Sequence, residues 1–168
     1  MANNPRRVYW DACTWIALIQ RETIAVGGSD RDTLCRAVIA EAKKNKIEIL
    51  TSTLSLVEVC KAPAIRATGD DLIGPFFEND YILLMNLDRL VGEHARQLMT
   101  SRYAGLKPPD AVHVASAILG LASELRTFDD KLLKLDGRIA RVDGGQLRIC
   151  VPDVGGTLPP LLSGMQKP

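Results

Sequence analysis

The sequence predicts an α/β domain whose mainly parallel sheet is covered by helices on both faces. Short apolar runs, the pattern of buried strands, recur along the chain. Stretches with apolar residues at helical spacing lie between them. The 168 residues suit a single domain with one full-sized core.

The first run, Arg7–Ala12 (RVYWDA), is aromatic-rich and ends in a carboxylate, as a buried first strand would. Thr14–Glu22 (TWIALIQRE) continues as a helix until Gly27-Gly28-Ser29 interrupts the chain. Asp30 or Asp32 caps the next helix, which runs to Lys44 with Leu34, Val38 and Ala42 on one face. Ile47–Ser52 is the second strand, and LSLVEVCKA is a helical segment stopped by Pro63.

The third strand is Tyr81–Asn86, followed by a capped helix over DRLVGEHARQLMTSRY. Lys107–Pro109 leads into another helix, with Val114, Ala117, Ile118 and Leu121 as its expected buried stripe. Leu125–Asp129 and Gln146–Pro152 complete the strands, with a short helix behind the former. The core is expected over about residues 7–152, with 153–168 as a surface tail.

Hydrophobic residues at 46% and charged residues at 24% describe an ordinary soluble composition, and no membrane span is expected. A formal net charge of +1 excludes nucleic-acid coating by bulk charge, so such a role would need a local patch. Cys13, Cys35, Cys60 and Cys150 are scattered, no secretory leader is expected, and reduced cytoplasmic thiols follow. With His94 and His113 as the two histidines, a Cys/His zinc site is poorly supplied.

Four acids stand out by position. Asp11 closes the first strand, Asp129 closes the fourth, Glu58 rides the helix after the second, and Asp110 opens the helix before the fourth. Each has a purely structural reading. Asp129 suits the N-cap of DKLLKL, Ser55-x-x-Glu58 spells a capping box with Lys61 as an ion-pair partner, and Asp110 suits a first helical turn. Asp11 resists such a reading, because burying a carboxylate is costly without compensation. Ligands in parallel sheets gather beyond the carboxyl ends of strands where strand order reverses. Acids meeting there repel one another unless a cation holds them, and a hard ion such as Mg²⁺ or Mn²⁺ suits oxygen ligands.

VYWDAC, STLSLVEV, KPPDAVHVASAI and LRTFDDKL, in this order and context, resemble the motifs of PIN domains, most of all the VapC-like bacterial toxins. The resemblance covers about Arg7–Pro152. It implies a three-layer α/β/α sandwich around a five-stranded sheet in order 3-2-1-4-5. It also implies an acidic cluster of Asp11, Glu58, Asp110 and Asp129 that binds Mg²⁺ or Mn²⁺ and cleaves RNA to leave 5′-phosphate and 3′-hydroxyl ends. A homodimer and a cognate antitoxin partner are implied as well.

Thr127 is a candidate for holding Asp129 or a water. Lys61, Lys107, Arg126 and Lys131 are the basic residues nearest the site acids in sequence, and His113 reads as a packed helix residue. One departure is Cys13, where many relatives carry Ser or Thr, since a thiol is the poorer donor. A catalytically silent RNA- or protein-binding scaffold and a non-toxin RNA-processing nuclease are the alternatives. A phosphotransfer domain with Asp11 as nucleophile, receiver-like or haloacid-hydrolase-like, is set aside; the latter needs a second aspartate where Cys13 stands.

Overall fold

The computed structural model describes residues 5–67, 73–101, 103 and 105–154. Most of the expected tail, 155–168, therefore lies outside the described residues. Five parallel strands form one sheet: β1 (Arg6–Trp10), β2 (Ile47–Ser52), β3 (Ile82–Met85), β4 (Glu124–Arg126) and β5 (Arg148–Cys150). Their order is β3-β2-β1-β4-β5, the expected 3-2-1-4-5. The order reverses at β1, which pairs with β2 on one side and β4 on the other. Beyond the paired residues Trp10 and Arg126, the chain continues into Asp11 and Thr127.

Strand alternation builds the two outer layers. Val8 and Trp10 face helices α1 (Ala12–Ile19) and α2 (Arg31–Lys43), where Trp15, Val38 and Ile49 are buried with them. Tyr9 faces the opposite way, into a core with Val91 and Ala95 of α6 (Arg89–Thr100) and Val114 and Ile118 of α7 (Pro108–Leu119). Among the described residues, no helix is long and apolar enough to cross a membrane.

Several boundaries differ from the sequence expectation. Helix α1 starts at Ala12 because Asp11 caps it, accepting from the Thr14 N–H, so the first strand stops at Trp10. Of Asp30 and Asp32, the first is the cap of α2 and the second sits in its first turn. The segment after β2 is broken into α3 (Leu54–Glu58), a 3-10 turn (Val59–Lys61) and α4 (Pro63–Ala67). A short helix, α5 (Gly74–Phe77), precedes β3. Two-residue strands, Ala25–Val26 and Ser29–Asp30, form a hairpin around Gly27 and Gly28, both at positive φ.

Two corrections concern packing. Leu121 is 65% exposed rather than part of the buried stripe of α7. The helix ends at Leu119, Gly120 caps it, and Leu121 adopts a left-handed φ of 57° that turns it away. Gly120 is required by close approach, since a Cβ there would lie 2.1 Å from Leu50 Cδ2. The Ser55-x-x-Glu58 capping box does not form: Thr53 occupies the cap position, and the Ser55 hydroxyl instead bonds Thr51.

Arg126, one of the basic residues nearest the site acids in sequence, is fully buried and does not line the cleft. Its guanidinium bonds the Glu124 carboxylate at 3.0 and 3.1 Å and the Asp153 backbone oxygen. Glu124 also takes Arg6 at 3.3 Å and Arg148 at 3.1 Å, so one buried carboxylate ties three cations across β1, β4 and β5.

Candidate active site

Asp11, Glu58, Asp110 and Asp129 line one cleft of about 260 Å³ above the carboxyl ends of β1 and β4. They arrive from four separate places in the chain. Asp11 is delivered by the turn between β1 and α1, Glu58 by the end of α3, Asp110 by the first turn of α7, and Asp129 by the turn between β4 and α8 (Asp130–Leu133).

Asp11 is nearly buried and held by four donors. Its Oδ1 accepts from the Thr14 N–H at 3.1 Å and the Thr14 hydroxyl at 3.0 Å; its Oδ2 accepts from the Thr127 hydroxyl at 2.6 Å. The Cys13 thiol lies 3.0 and 3.1 Å from the two oxygens. Burial, and then the Asp11 charge, push that thiol far above its ordinary range, so it stays protonated and donates. Hydroxyl contacts to Asp11 thus come from Thr14 and Thr127.

Thr127 is buried and links the two strand-end acids. Its hydroxyl donates to Asp11 and accepts from the Asp129 N–H at 2.9 Å. The Asp129 carboxylate caps α8, accepting at Oδ1 from the Lys131 and Leu132 N–H groups, so its structural reading holds. Capping uses Oδ1, and the side chain still lines the cleft.

Glu58 bonds His113 Nε2 at 2.7 Å through Oε2 and pairs with Lys61 through Oε1. The His113 bond, followed by Lys61, outweighs burial and holds its carboxyl well down, at about 2. Asp110 behaves oppositely. Desolvation, then the Asp129 charge, and further down Asp11, push its carboxyl up, against weaker relief from His113 and Lys107. The two acid neighbours add to the desolvation that raises it, so negative charge gathers around Asp110.

Lys61, Lys107 and Lys131 also line the cleft, leaving Arg126 as the one basic residue of the sequence set that does not. His113 lines it too, although its apolar helix pattern reads as packing.

The donor set fits a hard divalent ion: carboxylate oxygens dominate, and the mutual charge of Asp11, Asp110 and Asp129 is what a cation would neutralise. The side chains are not already gathered around a point. Among the described residues, no three His, Cys, Asp or Glu side chains are grouped as ligands, since capping and hydrogen bonds hold several of these oxygens.

Comparison with known proteins decides the family. The PIN domain family matches residues 8–138. The chain belongs to the PIN-domain family. The fold is VapC-like: it is similar to the crystal structure of the VapC20 toxin of Mycobacterium tuberculosis, described as cleaving the sarcin–ricin loop. That likeness has a TM-score of 0.55 at 16% identity and covers 73% of this chain and 90% of the toxin. No curated protein matches this PIN-domain chain in sequence.

Proposed function

We propose that this PIN-domain protein is a divalent-metal-dependent endoribonuclease, the toxin of a type II toxin–antitoxin pair. The observation that carries this reading is the convergence of Asp11, Glu58, Asp110 and Asp129 on one cleft, with Asp110 pushed up by desolvation and then by its acid neighbours. The VapC-like fold supports the toxin assignment.

Asp11, Asp110 and Asp129 would hold Mg²⁺ or Mn²⁺, with Glu58 as a ligand directly or through water. When bound, the metal supplies an activated water and charge stabilisation for hydrolysis of the phosphodiester bond, leaving 5′-phosphate and 3′-hydroxyl ends. Thr14 and Thr127 orient Asp11, and Thr127 also ties down the backbone of Asp129. Lys107 and Lys131 sit at the cleft to receive flanking phosphates, and binding weakens with salt as phosphate contacts require. In this reading the chain is one domain and works in the cytoplasm as a homodimer, with RNA as substrate and an antitoxin as its inhibiting partner.

Incubating the purified protein with defined RNAs, with and without Mn²⁺, tests the assignment. Asp110→Asn serves as the control and carries its own expected outcome. Because the folded-state carboxyl of Asp110 is raised, its ionised form costs stability once pH exceeds the ordinary carboxylate range, and that cost disappears as pH falls. The metal-free variant therefore melts above wild type at pH 7, and its advantage fades towards pH 3. Mn²⁺ raises the melting temperature of wild type far more than that of the variant. RNA cleavage falls by more than about 100-fold, since even the partners of metal ligands are worth about 10–100-fold. Wild-type cleavage by Asp110→Asn would remove this acid from the site.

A further inference from the structure

His113 is 3% exposed on α7, and both of its ring nitrogens are engaged. Nδ1 lies 2.7 Å from the Tyr9 hydroxyl, and Nε2 lies 2.7 Å from Glu58 Oε2. Tyr9 is fully buried on β1, and its oxygen accepts from the Ser52 N–H at the end of β2 at 3.1 Å. The two rings stand edge to face with centroids 5.8 Å apart.

The proton assignment follows from what each group can do. An ionised carboxylate accepts only, so the proton between Glu58 and the ring belongs to Nε2. In the neutral ring Nδ1 then accepts, and the tyrosine hydroxyl supplies that proton. The result is a directed chain from the sheet to the cleft: Ser52 N–H to Tyr9, Tyr9 O–H to His113, His113 Nε2–H to Glu58.

The other end of Glu58 is held differently. Oε1 carries Lys61, whose side chain is 66% exposed and flexible. One oxygen is thus held by a buried ring and the other by an exposed cation.

We propose that His113 is a positioning residue that fixes Oε2 of Glu58 and so presents Oε1 to the cleft, where Lys61 stands in for a divalent cation. This deepens, and rests on, the metal-dependent reading above. Oε1 would then be the oxygen offered to a divalent cation in exchange for the lysine ammonium, while the histidine contact persists. Tyr9 acts one step further back by choosing the tautomer of His113. His113 touches Glu58 rather than the substrate, and its effect belongs to metal affinity.

The test measures Mn²⁺ affinity and the Mn²⁺ dependence of RNA cleavage in the full chain. It compares wild type, His113→Ala, His113→Gln, Tyr9→Phe, Glu58→Gln and the double variant Glu58→Gln/His113→Ala. His113→Ala is expected to raise the Mn²⁺ concentration for half-maximal activity by ~10–100-fold. Its kcat at saturating Mn²⁺ stays within a few-fold of wild type. His113→Gln regains part of the loss, because its amide N–H reaches for the same oxygen. Tyr9→Phe shifts the requirement in the same direction by less, and the double variant is no weaker than Glu58→Gln alone.

If His113→Ala proves unfolded, His113→Gln and Tyr9→Phe decide, since both retain most of the buried volume. Folded variants with wild-type Mn²⁺ dependence, or losses that multiply in the double variant, overturn the proposal alone. Wild type that neither binds Mn²⁺ nor cleaves RNA overturns the nuclease reading and this inference together.

Discussion

Asp11→Asn is expected to abolish metal-dependent RNA cleavage, by more than about 100-fold, while the protein keeps its fold. Both halves of that outcome follow from the contacts of one side chain. As the N-cap of α1, Asp11 accepts from the Thr14 N–H and hydroxyl through Oδ1, and asparagine caps a helix about as well as aspartate. The amide nitrogen that replaces Oδ2 meets Thr127, whose hydroxyl can reverse its role and accept. What the substitution removes is a negative charge and one anionic oxygen at the floor of the acidic cleft. Cleavage assays in Mn²⁺ beside circular dichroism and thermal melts separate the two effects. A cleanly purified Asp11→Asn protein with wild-type cleavage would end the assignment of this residue.

The largest loss of stability is expected from Glu124→Ala, at a residue that does not line the cleft. Arg126 has no side-chain exposure and relies on Glu124 for two of its bonds. Removing the carboxylate leaves a buried guanidinium with its remaining contacts to Asp153, and also releases Arg6 and Arg148. Breaking a buried pair from one side typically costs about 3–5 kcal/mol, because the abandoned charge stays desolvated. Urea unfolding should show the midpoint falling with an unchanged slope. A change below about 1 kcal/mol would mean that Arg126 finds water or another partner at little cost. Residual RNA cleavage by the folded fraction is expected to survive, which distinguishes this variant from Asp11→Asn.

The strands and helices were largely legible because the core is built from local repetition. Ile47–Ser52 is a continuous run buried on both faces, and the observed strand has the same bounds. The strand ends were less legible, because side-chain commitments made in three dimensions set them. Asp11 leaves the strand to cap α1, and β4 stops at Arg126 although the run LRTFD reads on, with Asp129 already committed to capping α8.

The acids were legible as a set, and their individual partners were not. Asp110 and Asp11 could be picked out because a carboxylate at the rim of an apolar element is costly and needs a reason. Nothing in the spacing of residues 58 and 113 joins them; α7 packed beside the end of α3 does, with Nε2 2.7 Å from Oε2. An apolar helix with one histidine reads as packing until the ring's neighbours are known.

The sequence by itself determined the order of elements, the α/β class and the chemical character of the cleft, since periodicity and charge are local properties of the chain. Only the tertiary structure decided that Lys131 lines the acidic cleft while Arg126 is buried against Glu124 and Asp153. Both are basic residues close to Asp129 in the chain, and which of them meets solvent is settled by the elements that pack there from elsewhere in the chain.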